Sequence, residues 1–87
     1  MKKIIFITAI WCPSCLLMRP RYQELVKLVS KFEIQEIDYD DNPQLIKKYR
    51  VGTTLPVAII IDQHGQELNR FIGEISKKKL LDYFGIS

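Results

Sequence analysis

An α/β sheet with helices on both faces is predicted by three observations. The first is a βαβ signal: the β-branched apolar run Lys3–Thr8 leads into a helical pattern from Pro13 to about Ser30, and then into a second strand, Ile34–Tyr39. The second is Val57-Ala58-Ile59-Ile60-Ile61, the strongest strand signal in the chain, followed by the hairpin turn Asp62-Gln63-His64-Gly65. The third is Ser76, a capping residue ahead of a helix that places Leu80, Leu81 and Phe84 on one face. In chain order the elements read βαβαββα.

Lys3–Thr8 lacks polar alternation, which suits a strand covered on both faces. The helix after it carries Leu17, Met18, Leu25, Val26, Leu28 and Val29 with charges between them. Pro20 lies inside it and is expected to kink it, since proline removes a backbone donor and crowds the preceding turn. The strands on either side should be parallel, joined by a right-handed crossover. Asp40-Asp41-Asn42-Pro43 reads as a turn entering a short helix that ends near Tyr49, with Asn42 as its cap and Pro43 at its first position. Pro56 opens the third strand, and the chain returns through Leu68 to Ile72 as an edge strand.

Length and composition bound the function. Residues 1–87 are expected to form one domain that buries roughly 64% of its unfolded surface. An apolar share of 47% and a charged share of 26% exclude a disordered class. The net charge of +3 comes from scattered cations, and the short runs Lys47-Lys48 and Lys77-Lys78-Lys79 read as solvated helix faces, not as a nucleic-acid surface. A mild preference for acidic protein partners is what that charge suggests. Met1-Lys2-Lys3 and the apolar stretch to Ile10 mimic a secretion signal, but no small-residue cleavage site follows, and cutting there would remove a core strand. No membrane-spanning stretch is predicted, and the expectation is a cytoplasmic monomer.

Both cysteines lie in Trp11-Cys12-Pro13-Ser14-Cys15, where a strand meets a helix. In the cytosol such a pair is catalytic or metal-binding more often than structural, and a two-residue loop staples nothing. Zinc needs four ligands as a rule, yet the chain adds only His64, which belongs to the hairpin turn; no metal site is expected within a monomer. The Asp38, Asp40 and Asp41 group reads as solvated loop carboxylates. A sulfur at the mouth of a helix faces unpaired backbone donors and the positive end of the dipole, which favours the Cys12 thiolate. Cys12 is therefore the expected nucleophile on a substrate disulfide. Cys15, deeper in the first turn, is expected to resolve the mixed disulfide by attacking Cys12. Pro13 removes one donor near the sulfur and the Ser14 hydroxyl is expected to restore one, so both should tune the redox potential. Trp11 is either core packing or an exposed platform for a substrate polypeptide.

These residues resemble the thioredoxin family over essentially the whole chain. The resemblance rests on the strand-Trp-Cys-X-X-Cys-helix segment, Pro20 five residues after Cys15, the Ile37-to-Pro43 stretch, Thr54-Leu55-Pro56, and Gly73 after the last strand. It implies a thioredoxin-like fold with a four-stranded mixed sheet. It implies a cis Pro56 packed against the dithiol, a Leu55 backbone free to pair with an extended substrate, and Gly73 beside the docking surface. Trp11, Leu55, Pro56 and Gly73 are thus the expected substrate-binding residues. It also implies disulfide-containing protein substrates, a thioredoxin-reductase-type electron donor, and no cofactor beyond the reversible Cys12–Cys15 disulfide.

The chain departs from the family in several places. Its loop is Pro-Ser instead of Gly-Pro, and Phe6 stands where thioredoxins place a buried acid, so the proton acceptor for Cys15 has no assigned residue. Thr8 replaces a frequent second tryptophan, and the usual first strand and helix have no counterpart, leaving a glutaredoxin-sized form. The segment Gly73-Glu74-Ile75-Ser76-Lys77 lacks the glutathione-binding pattern of glutaredoxins. Reduction of protein disulfides is therefore the favoured activity. A glutathione-dependent reductase, a redox-sensitive binding module docking through Trp11 and Pro56, and metal or iron–sulfur binding across a dimer are the alternatives.

Overall fold

Five successive residues, Ile4 to Thr8, are buried in β1 (Lys2–Thr8), as a central strand with helices over both faces requires. The computed structural model describes residues 2–85. Beyond β1 it contains α1 (Pro13–Leu28), β2 (Phe32–Asp38), α2 (Pro43–Lys48), β3 (Val57–Ile61), β4 (Glu67–Ile72) and α3 (Lys77–Tyr83). The order is the predicted βαβαββα. The four strands form one mixed sheet in the order β2-β1-β3-β4. β1 runs parallel to β2 from Lys2↔Phe32 to Thr8↔Asp38 and antiparallel to β3, which pairs antiparallel with the edge strand β4.

Alternation along the strands sorts the core into two layers. Ile4, Phe6, Ala58, Ile60 and Phe71 meet Met18, Tyr22 and Leu25 of α1 and Leu80 of α3. Ile5, Ile7, Ile37, Val57, Ile59 and Ile61 point the other way, toward Leu45 and Ile46 of α2 and the nearby Tyr49 and Val51. Cys12 and Cys15 belong to that second cluster although they open α1. The dithiol therefore sits where β1 hands over to α1, at one end of the sheet.

Differences from the sequence reading fall at element ends. β2 begins two residues early, at Phe32, because the parallel register continues back to Lys2. It ends at Asp38; the Tyr39 amide still donates to the Thr8 carbonyl at 2.7 Å. α1 stops at Leu28, where Val29 turns extended (φ −115°, ψ 91°). It runs through Pro20, whose exposed ring faces solvent. Asn42 precedes α2 but forms no side-chain cap; its amide nitrogen donates instead to the Asp38 carbonyl at 3.0 Å. Ser76 does cap α3, accepting from the Lys79 amide at 3.2 Å.

Candidate active site

Cys12 occupies the N-cap of α1 in an extended conformation (φ −103°, ψ 105°), and Pro13 takes the first helical position. A cap residue's side chain faces the unpaired amides of the first turn, and here the Cys12 Sγ accepts from the Cys15 amide at 3.2 Å. The Cys15 amide also lies 3.2 Å from the Cys12 carbonyl, while the Cys12 amide donates to the Ala9 carbonyl. Both cysteines are free thiols and both are buried, Cys12 to 5% exposure and Cys15 to 1%. The expected difference in depth is present. Burial pushes the Cys15 thiol up to about 12, reinforced by its hydrogen bond with Cys12; Arg19, one helical turn further on, pulls the other way. At neutral pH Cys15 therefore keeps its proton.

Trp11 is 57% exposed and so is not core packing. Its indole Nε1 donates to Asp40 Oδ2 at 2.7 Å, and its ring meets Tyr39 edge-on. Ile10 beside it is almost fully exposed. Asp38 organises the loop that carries Asp40 by accepting from the Asp40 and Asp41 amides. The Leu55–Pro56 bond is cis, as the resemblance implied, and both side chains are buried. Gly73 takes φ +79° and donates its amide to the Pro56 carbonyl at 2.8 Å. That bond fixes the loop after β4 beside the turn before β3.

Ser14 departs from expectation. Its hydroxyl donates to Glu74 Oε2 at 2.7 Å instead of to a cysteine sulfur, and the Cys15 amide fills that role. Phe6, at the position of the family's buried acid, packs on Tyr22 on the α1 side of the sheet. The parallel register places Glu36 opposite Phe6. Glu36 accepts from Thr8 Oγ1 at 3.0 Å and from Arg19 through Nε and a second guanidinium nitrogen. Arg19 in turn holds the Glu36 carboxyl below its ordinary range. Asp40, Glu74, Arg19 and Glu36 are not site candidates from sequence, since only the folded chain joins Asp40 to Trp11, Glu74 to Ser14 and Arg19 to Glu36. His64 lies in the β3–β4 turn, its amide donating to Asp62 Oδ1. Among the described residues no group of three or more His, Cys, Asp or Glu side chains is arranged to hold a metal.

A dithiol capping a helix at the end of a four-stranded mixed sheet, beside a cis-proline turn, defines a thiol–disulfide oxidoreductase of the thioredoxin-like class. A family model described as Thioredoxin matches residues 2–85. A thioredoxin of Mycoplasma genitalium is 31% identical over 81 residues, which cover 93% of this chain and 78% of that protein. Among solved structures, the thioredoxin of Fasciola hepatica superposes with a TM-score of 0.82 at 28% identity, covering 97% of this chain and 78% of that one. A malaria-parasite thioredoxin-2 superposes with a TM-score of 0.86 at 22% identity, covering 98% and 82%. The chain belongs to the thioredoxin family, and its activity is protein-disulfide oxidoreduction.

Proposed function

We propose that this protein reduces disulfides of protein substrates with Cys12 as nucleophile and Cys15 as resolving thiol. The observation that carries the assignment is the asymmetry of the two sulfurs: Cys12 is the helix cap and accepts a backbone hydrogen bond, whereas Cys15 is buried in the first turn and holds its proton. The Cys12 thiolate attacks one substrate sulfur, the substrate S–S bond breaks, and the departing thiolate takes up a proton. Cys15 then loses its proton and attacks Cys12 Sγ, which releases the second substrate thiol and leaves a Cys12–Cys15 disulfide. Two electrons pass to the substrate, and a reductase of the thioredoxin-reductase type returns them.

The exposed Trp11 and the Leu55–Pro56 and Gly73 segments support docking of an extended substrate, with Leu55 offering backbone pairing and Gly73 no side chain. Pro13 and Ser14 tune the potential, Pro13 by withholding an amide and Ser14 through Glu74. The dithiol suffices without a cofactor, and residues 1–87 act as one monomeric domain, a reading supported by one sheet joining all four strands. No helix among the described residues is long and apolar enough to cross a membrane. A cytoplasmic setting suits a dithiol that must be kept reduced.

Reduction of insulin disulfides under dithiothreitol tests the assignment. Cys12→Ser should abolish turnover, and Cys15→Ser should accumulate a mixed disulfide visible by mass spectrometry. Wild-type rates in Cys12→Ser, or no adduct with Cys15→Ser, would overturn it.

A further inference from the structure

Two carboxylates hold the residues on either side of Cys12. Asp40 takes the Trp11 indole at 2.7 Å from the β2–α2 loop, and Glu74 takes the Ser14 hydroxyl at 2.7 Å from the β4–α3 loop. Their electrostatic settings differ. Lys47 and Arg50 line the same surface hollow as Asp40, so positive charge offsets it there. Glu74 is exposed and is in none of the ion pairs among the described residues. Arg21 of α1 donates to the neighbouring Ile75 carbonyl at 2.8 Å, and Lys77, the first cation after Glu74 in the chain, pairs with Glu24 instead. Glu74 also follows Gly73, whose amide is bonded to the Pro56 carbonyl. An exposed carboxylate outside those ion pairs is thereby held between the Cys-X-X-Cys loop and the segment against which a substrate strand would lie.

We infer that Glu74 is a specificity-determining residue, selecting substrate disulfides whose cysteine is flanked by lysine or arginine and disfavouring those flanked by acidic residues. The inference rests on the docking reading above. It opposes the preference for acidic partners that the net charge of +3 suggests, because at contact range the nearest charge outweighs a distributed one that salt screens within about 10 Å. One charge pair about 5 Å apart in water-like surroundings corresponds to roughly a fourfold to fivefold effect on kcat/KM.

The test uses two symmetrical peptide disulfides, one with lysine on both sides of the cysteine and one with glutamate, reduced by the protein under dithiothreitol at low salt. Their inherent reactivities differ, so the readout is the Lys-to-Glu ratio of kcat/KM in each variant relative to wild type. Glu74→Gln removes both the attraction for lysine and the repulsion of glutamate, so it should lower that ratio about 16- to 25-fold, and Glu74→Lys should lower it further. Salt at about 0.5 M should shrink the difference between variants. Equal ratios in wild type, Glu74→Gln and Glu74→Lys would overturn the inference while leaving the oxidoreductase reading intact. If wild type reduces neither peptide, or Cys12→Ser reduces both, the reading beneath it fails.

Discussion

Arg19 lies one helical turn beyond Cys15 and splits its charge between that thiol and Glu36. Its cation favours the Cys15 thiolate, so Arg19→Gln should raise the resolving thiol further. Each unit of such a rise cuts the thiolate tenfold, and a Brønsted slope near 0.5 returns about threefold in nucleophilicity, leaving resolution about threefold slower. Glu36→Gln leaves the Arg19 charge unneutralised and should speed the same step. Stopped-flow release from a preformed Cys12 mixed disulfide measures both; a slower Glu36→Gln would instead make Glu36 the proton acceptor that Phe6 does not supply. In wild type that release should accelerate as pH rises from about 7 to 9, because burial holds the Cys15 thiol above its ordinary value.

Among the elements, α3 and β4 depend on single polar contacts that differ in how readily sequence discloses them. The Ser76 cap was legible, since capping chemistry lies within three residues of the helix start. Ser76→Ala should cost about 1 kcal/mol in urea denaturation. Arg70 gave no such signal. From β4 its guanidinium pairs with Glu67 and reaches the Tyr49 carbonyl at 2.7 Å, which ties the edge strand to the end of α2. Arg70→Met should destabilise the fold by about 1–3 kcal/mol, because the part-buried carbonyl loses its donor. Boundaries such as the start of β2 escaped the sequence reading for a related reason. Phe32 is a strand residue because Lys2 lies opposite it, and periodicity does not record partners.

For the whole molecule, burial of neutral acids on both sides of the sheet sets the alkaline limit of stability. Cys15 is pushed from 9.0 to about 12, and desolvation raises Tyr22 above its ordinary 10.0. Between the unfolded and folded values the unfolded chain binds fewer protons, so stability is complete below about pH 9 and declines as pH rises. Each group contributes a slope of up to about 1.4 kcal/mol per pH unit. Urea midpoints of the reduced protein should therefore fall between pH 8 and pH 10.5, and Cys15→Ala should flatten the early part of that fall. A profile unchanged by Cys15→Ala would remove its thiol as the cause. On the acid side Glu36 and Glu67 are held below the ordinary 4.5 by their arginines, so the stability they add is present above that value and is lost as pH drops through the folded ones.

The amino-acid sequence by itself determined the element order, the dithiol at the mouth of α1, the Ser76 cap and, through the family pattern, Pro56 and Gly73. These features are written in short spacings, apolar periodicity and capping chemistry, all of which act over a few residues. Only the tertiary structure decided that Ser14 is joined to Glu74, 60 residues away, that Trp11 is joined to Asp40, 29 residues away, and that Arg19 is joined to Glu36. Sheet register and loop placement set those partners, and through them the charge that surrounds the two sulfurs.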